Sequence, residues 1–265
     1  MSAAALNGID TYLLRFSDLA DFVIAMGEKK IGVWPTIGTS IETLRHLLLD
    51  QVLPRVLAQQ GKGILHAGAV KIGDEAVAFV GETGSGKSTL AASFNTANFP
   101  LLSDDSLILT TNANQVFCLA AYPCLRLWPE GLSRIYNQAP DVVPMAHYST
   151  KQRVVLKDAR IFTKKPVRLS SIYLLEQEPF GAANTISDRR FSPAEACIQI
   201  IRNSFQLNVT DPVRGAAMLE WASKIAETVP VFAIFYRRSY SIIPEIVNYI
   251  IGKQSSLDKT YQELN

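Results

Sequence analysis

Apolar residues recur along this chain at two spacings, and the switches between them mark its elements. Between residues 10 and 35 they alternate with polar residues in three short runs, TYLLRF, DFVIAM and KKIGVW. Alternation of period two predicts half-buried strands joined by turns. From residue 41 the spacing lengthens, and Ile41, Leu44, Leu48 and Val52 fall on one side of a helix. Thr39 and Glu42 stand in front of it at capping-box spacing. Pro54 predicts a kink or interruption, and Gly61 with Gly63 a stop. GILHAGAVKI then reads as one strand, Gly73-Asp74 as a turn and EAVAFV as a second strand. A glycine-rich loop, the helix STLAASFNTA and a strand within PLLSDDSLILT follow in direct succession.

Periodicity fades over residues 112–150, where Pro123, Pro129, Pro140 and Pro144 punctuate the chain. That stretch is predicted to be an irregular loop region over a site. VRLSSIYLLE (167–176) returns to strand. Ser192-Pro193-Ala194-Glu195 opens a helix as a capping box with proline at its first position, and Asp211-Pro212 opens another. VPVFAIFYR is a late strand, and a short helix after Pro244 precedes the polar tail QSSLDKTYQELN. The order strand, loop, helix, strand suits a compact α/β nucleotide-binding core. The expected organisation is an N-terminal α/β extension over 1–60 packed on the core, a core domain over 61–253 and a tail over 254–265.

Composition narrows the function classes. Of 265 residues 48% are apolar and mean hydropathy is +0.12, enough for a full core, which excludes a disordered or collagen-like chain. Lys and Arg total 26 against 24 Asp and Glu, for a net charge of +2 without a basic block, so nucleic acid is not an expected partner. No apolar run approaches the ~20 residues that span a bilayer, so no membrane partner is expected. Three Cys and three His show no zinc-ligand spacing, and the cysteines read as reduced thiols. MSAAALNGIDTYLLRF lacks the basic start and long apolar run of a signal peptide, and the expected location is cytoplasmic.

The chemistry concentrates at Gly81-Glu82-Thr83-Gly84-Ser85-Gly86-Lys87-Ser88, which matches G-x-x-x-x-G-K-[ST] at every fixed position. It sits between an apolar strand and a helix, where its mechanism requires it. Glycines let successive backbone N–H groups curl toward phosphate oxygens, and the helix N-terminus adds partial positive charge. Lys87 would bridge the β- and γ-phosphates, and Ser88 would offer a hydroxyl to Mg²⁺. These eight residues and Thr89 are the candidate nucleotide-binding set, with ATP and Mg²⁺ as cofactors.

Asp104 and Asp105 follow Lys87 after one helix and one short strand. The strand therefore returns beside the phosphate loop and can deliver a carboxylate to the γ-phosphate. On a strand the two would face opposite ways, so one can approach Mg²⁺ while the other takes a proton from an attacking hydroxyl. Ser103-Asp-Asp-Ser is equally good turn chemistry. Other cations are weaker candidates. Lys151, Arg153 and Lys157 read as a solvated strand face, and Arg237-Arg238 as surface. Arg202 reads as a helix C-terminal cation or as a contact to a phosphate or peptide carboxylate.

His66 in ILHAGAV, GETGSGKSTLAASF and PLLSDDSLIL resemble, in order and spacing, the catalytic half of HPr kinase/phosphorylase. With AYPCLRLWPE and the VPVFAIFY strand they look most like the HPr-kinase-related proteins that phosphorylate the C-terminal serine of lasso-peptide precursors. The likeness covers residues 61–130. It implies an HPr-kinase-like (phosphoenolpyruvate-carboxykinase-like) P-loop core with a mixed sheet. It further implies that Asp104 is the general base, that Asp105 and Ser88 lie at the metal, and that His66 and Lys87 face the reacting phosphate. Arg126 stands at the arginine of the family's E-[IV]-R-G-L-G signature, with Cys124 in place of its metal-binding Glu. The implied function is ATP- and Mg-dependent transfer to a serine of a peptide or protein, with a homo-oligomer among the open assemblies. The alternatives are a kinase of another protein or small alcohol, and a nucleotide-gated binding module without turnover.

Overall fold

The computed structural model describes residues 2–5, 10–158, 162–163, 165–177 and 186–263, the first four and the last seven of these as backbone only. The part of the expected polar tail beyond 263 lies outside them. The three alternating runs form strands as their period requires. β1 (Ser2–Ala5), β2 (Thr11–Phe16), β3 (Ala20–Ala25) and β4 (Lys30–Pro35) make an antiparallel sheet in that order. Its inward face carries Leu14, Phe22 and Ile24, packed against Leu47 of α1 (Ile41–Leu47), Val56 of α2 (Leu53–Gln59) and Val52 between them.

The two helices are joined by a π-helical turn, Leu48–Val52, so the expected interruption is present, with Pro54 in the first turn of the second helix. Two expectations are corrected here. The N-cap is Ser40, whose hydroxyl accepts from the Thr43 amide, while Thr39 donates its hydroxyl to the Leu19 carbonyl at 2.6 Å. Ile41 is exposed, because the inward face of α1 is the one that carries Thr43, His46 and Leu47.

The core is a nine-stranded mixed sheet between two helical layers. GILHAGAVKI is two strands, β5 (Gly63–His66) and β6 (Gly68–Ile72), broken at Ala67. β6 turns antiparallel into β7 (Glu75–Val80), and α3 (Lys87–Thr96) follows the glycine-rich loop. The next run is likewise split into β8 (Leu101–Ser103) and β9 (Ser106–Asn112) by a bend at Asp104-Asp105. β9 turns through Ala113 and Asn114, both at positive φ, into β10 (Gln115–Leu119).

Residues 112–150 correct the loop expectation. β11 (Cys124–Leu127), α4 (Pro129–Ile135), β12 (Val142–Ala146) and β13 (Ser149–Val155) fill the stretch and its end, with a small sheet ordered β11-β13-β12. Pro129 opens α4 and Pro144 marks a register irregularity in the edge strand β12, so two of the prolines that hid these elements are positioned by them.

β14 (Val167–Gln177), β15 (Ser187–Arg190), α5 (Pro193–Arg202), α6 (Pro212–Thr228) and β16 (Val231–Tyr236) follow. The helix expected to be short, α7, runs Ile243–Glu263. β14 pairs parallel with β7 on one side and β16 on the other. Such central strands are covered on both faces, which is why EAVAFV and VFAIFY are near-continuous apolar runs. Leu90, Ala91 and Phe94 of α3 and Ile246 and Ile250 of α7 cover one face. Ala196 and Ile200 of α5 and Ala222 and Ile225 of α6 cover the other. No helix among the described residues is long and apolar enough to cross a membrane.

Candidate functional site

Two breaks in the sheet create the site. The β5–β6 break at Ala67 and the β8–β9 break at Asp104-Asp105 lie side by side, with the Ala67 amide donating to the Asp105 carbonyl at 3.0 Å and His66 paired with Ser106 in register. His66 Nδ1 consequently stands 3.1 Å from Asp105 Oδ1. The glycine-rich loop leaves the C-terminal end of β7 directly opposite.

The loop takes the shape its glycines allow. Gly81, Gly84 and Gly86 have φ of 143°, 85° and 103°. A Cβ on Gly81 would approach Ser85 Oγ to 2.9 Å and the Leu175 carbonyl oxygen to 3.2 Å. Gly86 caps α3, whose first amides have no carbonyl one turn back within the helix and point out of its N-terminus. Lys87 is 6% exposed, and its ammonium donates to the Gly81 carbonyl at 2.7 Å and the Glu82 carbonyl at 3.1 Å. Burial pushes it down to about 8, against the pull of Asp105 and Asp104. Outside the loop, the Gly81 amide donates to Asn203 Oδ1 at 3.1 Å and the Tyr236 hydroxyl to the Ser85 carbonyl at 3.3 Å. Arg238 Nη2 lies 3.8 Å from where a Cβ on Gly84 would sit.

Arg126 gathers the acidic groups. Asp104 Oδ2 accepts from its backbone amide at 2.9 Å and from its Nε at 3.1 Å. Its Nη2 is 3.0 Å from Asp105 Oδ1, and its Nη1 2.9 Å from Asp50 Oδ2. The other carboxylate oxygens, Asp104 Oδ1 and Asp105 Oδ2, are buried without a hydrogen-bond partner among the described residues. The two aspartates are electrically unequal. Burial raises the Asp104 pKa, and Arg126 and the Ser88 hydroxyl oppose that rise without cancelling it. Burial works the same way at Asp105, but Arg126 and His66 together outweigh it and hold that carboxyl well below the usual range. Arg126, desolvated yet shared by three carboxylates, is driven far above its ordinary value.

The structure thus brings together His66, Asp104, Asp105, Arg126, Lys87 and Ser88. Of the two sequence readings of the acidic pair, strand or turn, the structure has the turn, with both aspartates in a bend, and it sets the Ser88 hydroxyl against Asp104. The unpartnered Asp105 oxygen and the Ser88 hydroxyl are hard oxygen donors that fit a divalent cation, which completes its shell with waters and phosphate oxygens. No group of three or more His, Cys, Asp or Glu forms a self-sufficient metal cage among the described residues. Asp105 and Ser88 would therefore hold Mg²⁺ only together with a nucleotide.

Several site residues escaped the sequence reading. Asp50, on the π turn, is fully buried and is contacted by His46 Nδ1 at 2.5 Å, by the Tyr122 hydroxyl and by Arg153 Nη2 at 3.8 Å. Arg153 is buried, not solvated, because it faces Arg126 across the β11–β13 pair. Lys151 is half-buried with its ammonium 5.1 Å over the Trp128 ring, within electrostatic reach of Asp104, Asp105 and Lys87. Lys157 alone of that trio is on the solvated face, paired with Asp141 at 2.7 Å. Asp50 carried no signal in the sequence, because a 3.6-residue periodicity conceals a π-helical turn.

A cleft of about 1260 Å³ opens beside the loop, lined by Gly81–Thr83, His66, Arg55, the segment from Arg202 to Thr210, Tyr236 and Arg238.

No family model matches this chain, and no curated protein does. Among solved structures, the HPr(Ser) kinase/phosphatase from Coxiella burnetii is similar in the course of its chain, with a TM-score of 0.42 and 12% identity over 74% of this chain and 98% of that one. At that score and identity the match assigns no chemistry to the residues described above.

Proposed function

We propose that this protein is an ATP- and Mg-dependent kinase that transfers the γ-phosphate to a serine hydroxyl of a peptide or protein. The observation that carries the reading is the juxtaposition of a glycine-rich phosphate loop and its buried lysine with two buried carboxylate oxygens that no described residue satisfies. A turn that merely capped strands would satisfy its carboxylates internally. Lys87, the loop amides and Arg238 would neutralise the phosphates. Asp104, beside Ser88, has one oxygen free to accept the proton of the incoming hydroxyl, and Asp105, held anionic by Arg126 and His66, would face the metal. Asp105 and Ser88 would hold Mg²⁺, which supplies positive charge to offset the charge that develops on the transferred phosphoryl group.

The acceptor is the finer part of the proposal. The sequence resemblance to lasso-peptide precursor kinases makes a C-terminal serine of a precursor peptide the first candidate. Incubation with ATP, Mg²⁺ and a panel of serine-containing peptides, followed by mass spectrometry, tests it. Gain of one phosphate on a serine supports the reading. Tight ATP binding with no phosphorylated product would replace it with a nucleotide-gated binding module.

A further inference from the structure

The N-terminal unit sends a second cation into the cleft. Arg55, on α2, donates through Nη1 to the Gln51 backbone carbonyl at 2.7 Å and to Gln51 Oε1 at 3.1 Å. Its guanidinium carbon lies 5.2 Å over the Phe205 ring, and it is only half-buried. No carboxylate pairs with it among the described residues. It is partly withdrawn from water, and Asp105 acts on it at a distance without an ion pair, so its donor fork is left to take an anion. Its position points the same way. The Phe205 ring that carries Arg55 also meets the His66 imidazole edge-on at 5.7 Å, and His66 holds Asp105. Arg55 is therefore one aromatic ring away from the acidic corner.

Arg202, the last residue of α5, lines the same cleft and likewise has no ion-pair partner among the described residues. Its neighbour Asn203 is fixed at the loop, receiving the Gly81 amide on its side chain and the His66 amide on its backbone carbonyl. Arg238, by contrast, sits over Gly84, on the phosphate side. The cleft therefore has one arginine at Gly84 of the nucleotide loop, one on the His66 side through Phe205, and Arg202 on its wall beside Asn203. Its volume exceeds the roughly 300–1,000 Å³ of ordinary ligand pockets, leaving room for more than a nucleotide.

We infer that Arg55, assisted by Arg202, forms a subsite for a carboxylate of the acceptor, held next to the hydroxyl that is phosphorylated. The inference rests on the kinase reading above. It names a chemical class with two sources: a chain-terminal carboxylate, or the side chain of an acidic residue beside the serine.

The test uses the full chain, ATP, Mg²⁺ and three forms of one peptide: serine at a free C-terminus, the same serine amidated, and the amidated peptide with an aspartate before the serine. A charge-assisted bidentate contact predicts a 10- to 100-fold higher kcat/KM for a carboxylate-bearing form over the neutral amide. The form preferred identifies the source. Arg55→Gln is expected to abolish that preference through KM while leaving ATP affinity within a factor of two, and Arg202→Gln to reduce it. Arg55→Lys keeps a charge without the fork and is expected to retain part of the preference, which separates loss of recognition from loss of folding. Equal rates for all three forms in the unmodified protein overturn the inference and leave the kinase reading intact. So does an undiminished preference in Arg55→Gln, or a loss confined to ATP affinity. Absence of transfer to every form, with ATP bound, overturns the kinase reading and this inference with it.

Discussion

Replacing Asp50 with Asn removes one charge from the middle of a buried network and changes the side-chain volume very little. The carboxylate is fully buried, and its Oδ2 lies 2.9 Å from Arg126 Nη1, 2.5 Å from His46 Nδ1 and 3.8 Å from Arg153 Nη2. Breaking a buried ion pair from one side costs about 3–5 kcal/mol, because the partner's charge is left desolvated. Arg126 keeps Asp104 and Asp105, so its share of that cost is small. Arg153 keeps no carboxylate, since Asp50 is its only one among the described residues. The expected loss is therefore at the lower end, about 3 kcal/mol. For a chain of this size that is roughly 6–12 °C in Tm. Thermal unfolding followed by circular dichroism measures it. Arg153→Gln should cost less, and the Asp50→Asn/Arg153→Gln double variant should be less destabilised than the sum of the singles, by about 0.5–3 kcal/mol. A melting point within about 2 °C of the parent for Asp50→Asn, or strict additivity, would refute the claim that the N-terminal unit is locked to the acidic corner through this carboxylate.

Nucleotide affinity should depend on pH through Lys87. Its folded value of about 8 lies below the ordinary 10.5, so phosphates that favour the charged ammonium draw in a proton on binding. Apparent ATP affinity is expected to fall about tenfold per pH unit above 8, with proton uptake visible by calorimetry in buffers of different ionisation enthalpy; a flat profile between about pH 7.5 and 9.5 contradicts this. The same depressed value means that, without nucleotide, the stability tied to Lys87 is present above about 10.5 and is lost as pH falls through 8. Asp105 behaves as a depressed carboxyl: its contribution is complete above about pH 4 and is lost as pH falls further, toward its own low value, so Asp105→Asn should flatten the acid limb of the stability curve. Gly63→Ala should cost about 1–3 kcal/mol in chemical denaturation, because a Cβ there would meet the Trp221 indole at 2.0–2.3 Å; an unchanged midpoint would mean that β5 and α6 can move apart freely.

What could be read in the sequence and what could not divides by the range of the interaction. Local signals were legible: alternation in TYLLRF and DFVIAM, the Ser192–Glu195 capping box and the glycine-rich loop all produced the elements their patterns imply. Breaks inside apolar runs were not. His66-Ala67 continues the strand pattern in composition, yet the chain bends there because β5 pairs with β9 while β6 pairs with β7; at Asp104-Asp105 turn chemistry was legible, but not that β8 pairs with β6 and β9 with β5 on either side of it. Pro123, Pro129, Pro140 and Pro144 concealed a sheet and a helix, since a proline at an edge strand or a first helical turn looks from sequence like a loop signal. The site followed the same rule. Lys87, Ser88 and the aspartates come from one contiguous motif region, whereas Asp50, Arg55, Arg153 and Lys151 reach the site through tertiary contacts across the N-terminal unit and the small sheet.

The central claim is that the acidic corner acts on a phosphate held by the glycine-rich loop. The most direct measurement is single-turnover transfer of labelled γ-phosphate by Asp104→Asn alongside the parent protein, with ATP affinity measured on both. The account predicts a rate reduced by about 10²–10⁴-fold, the range of general-base catalysis, at ATP affinity changed by no more than a few-fold. Full transfer by Asp104→Asn with nucleotide bound as tightly as before would contradict it.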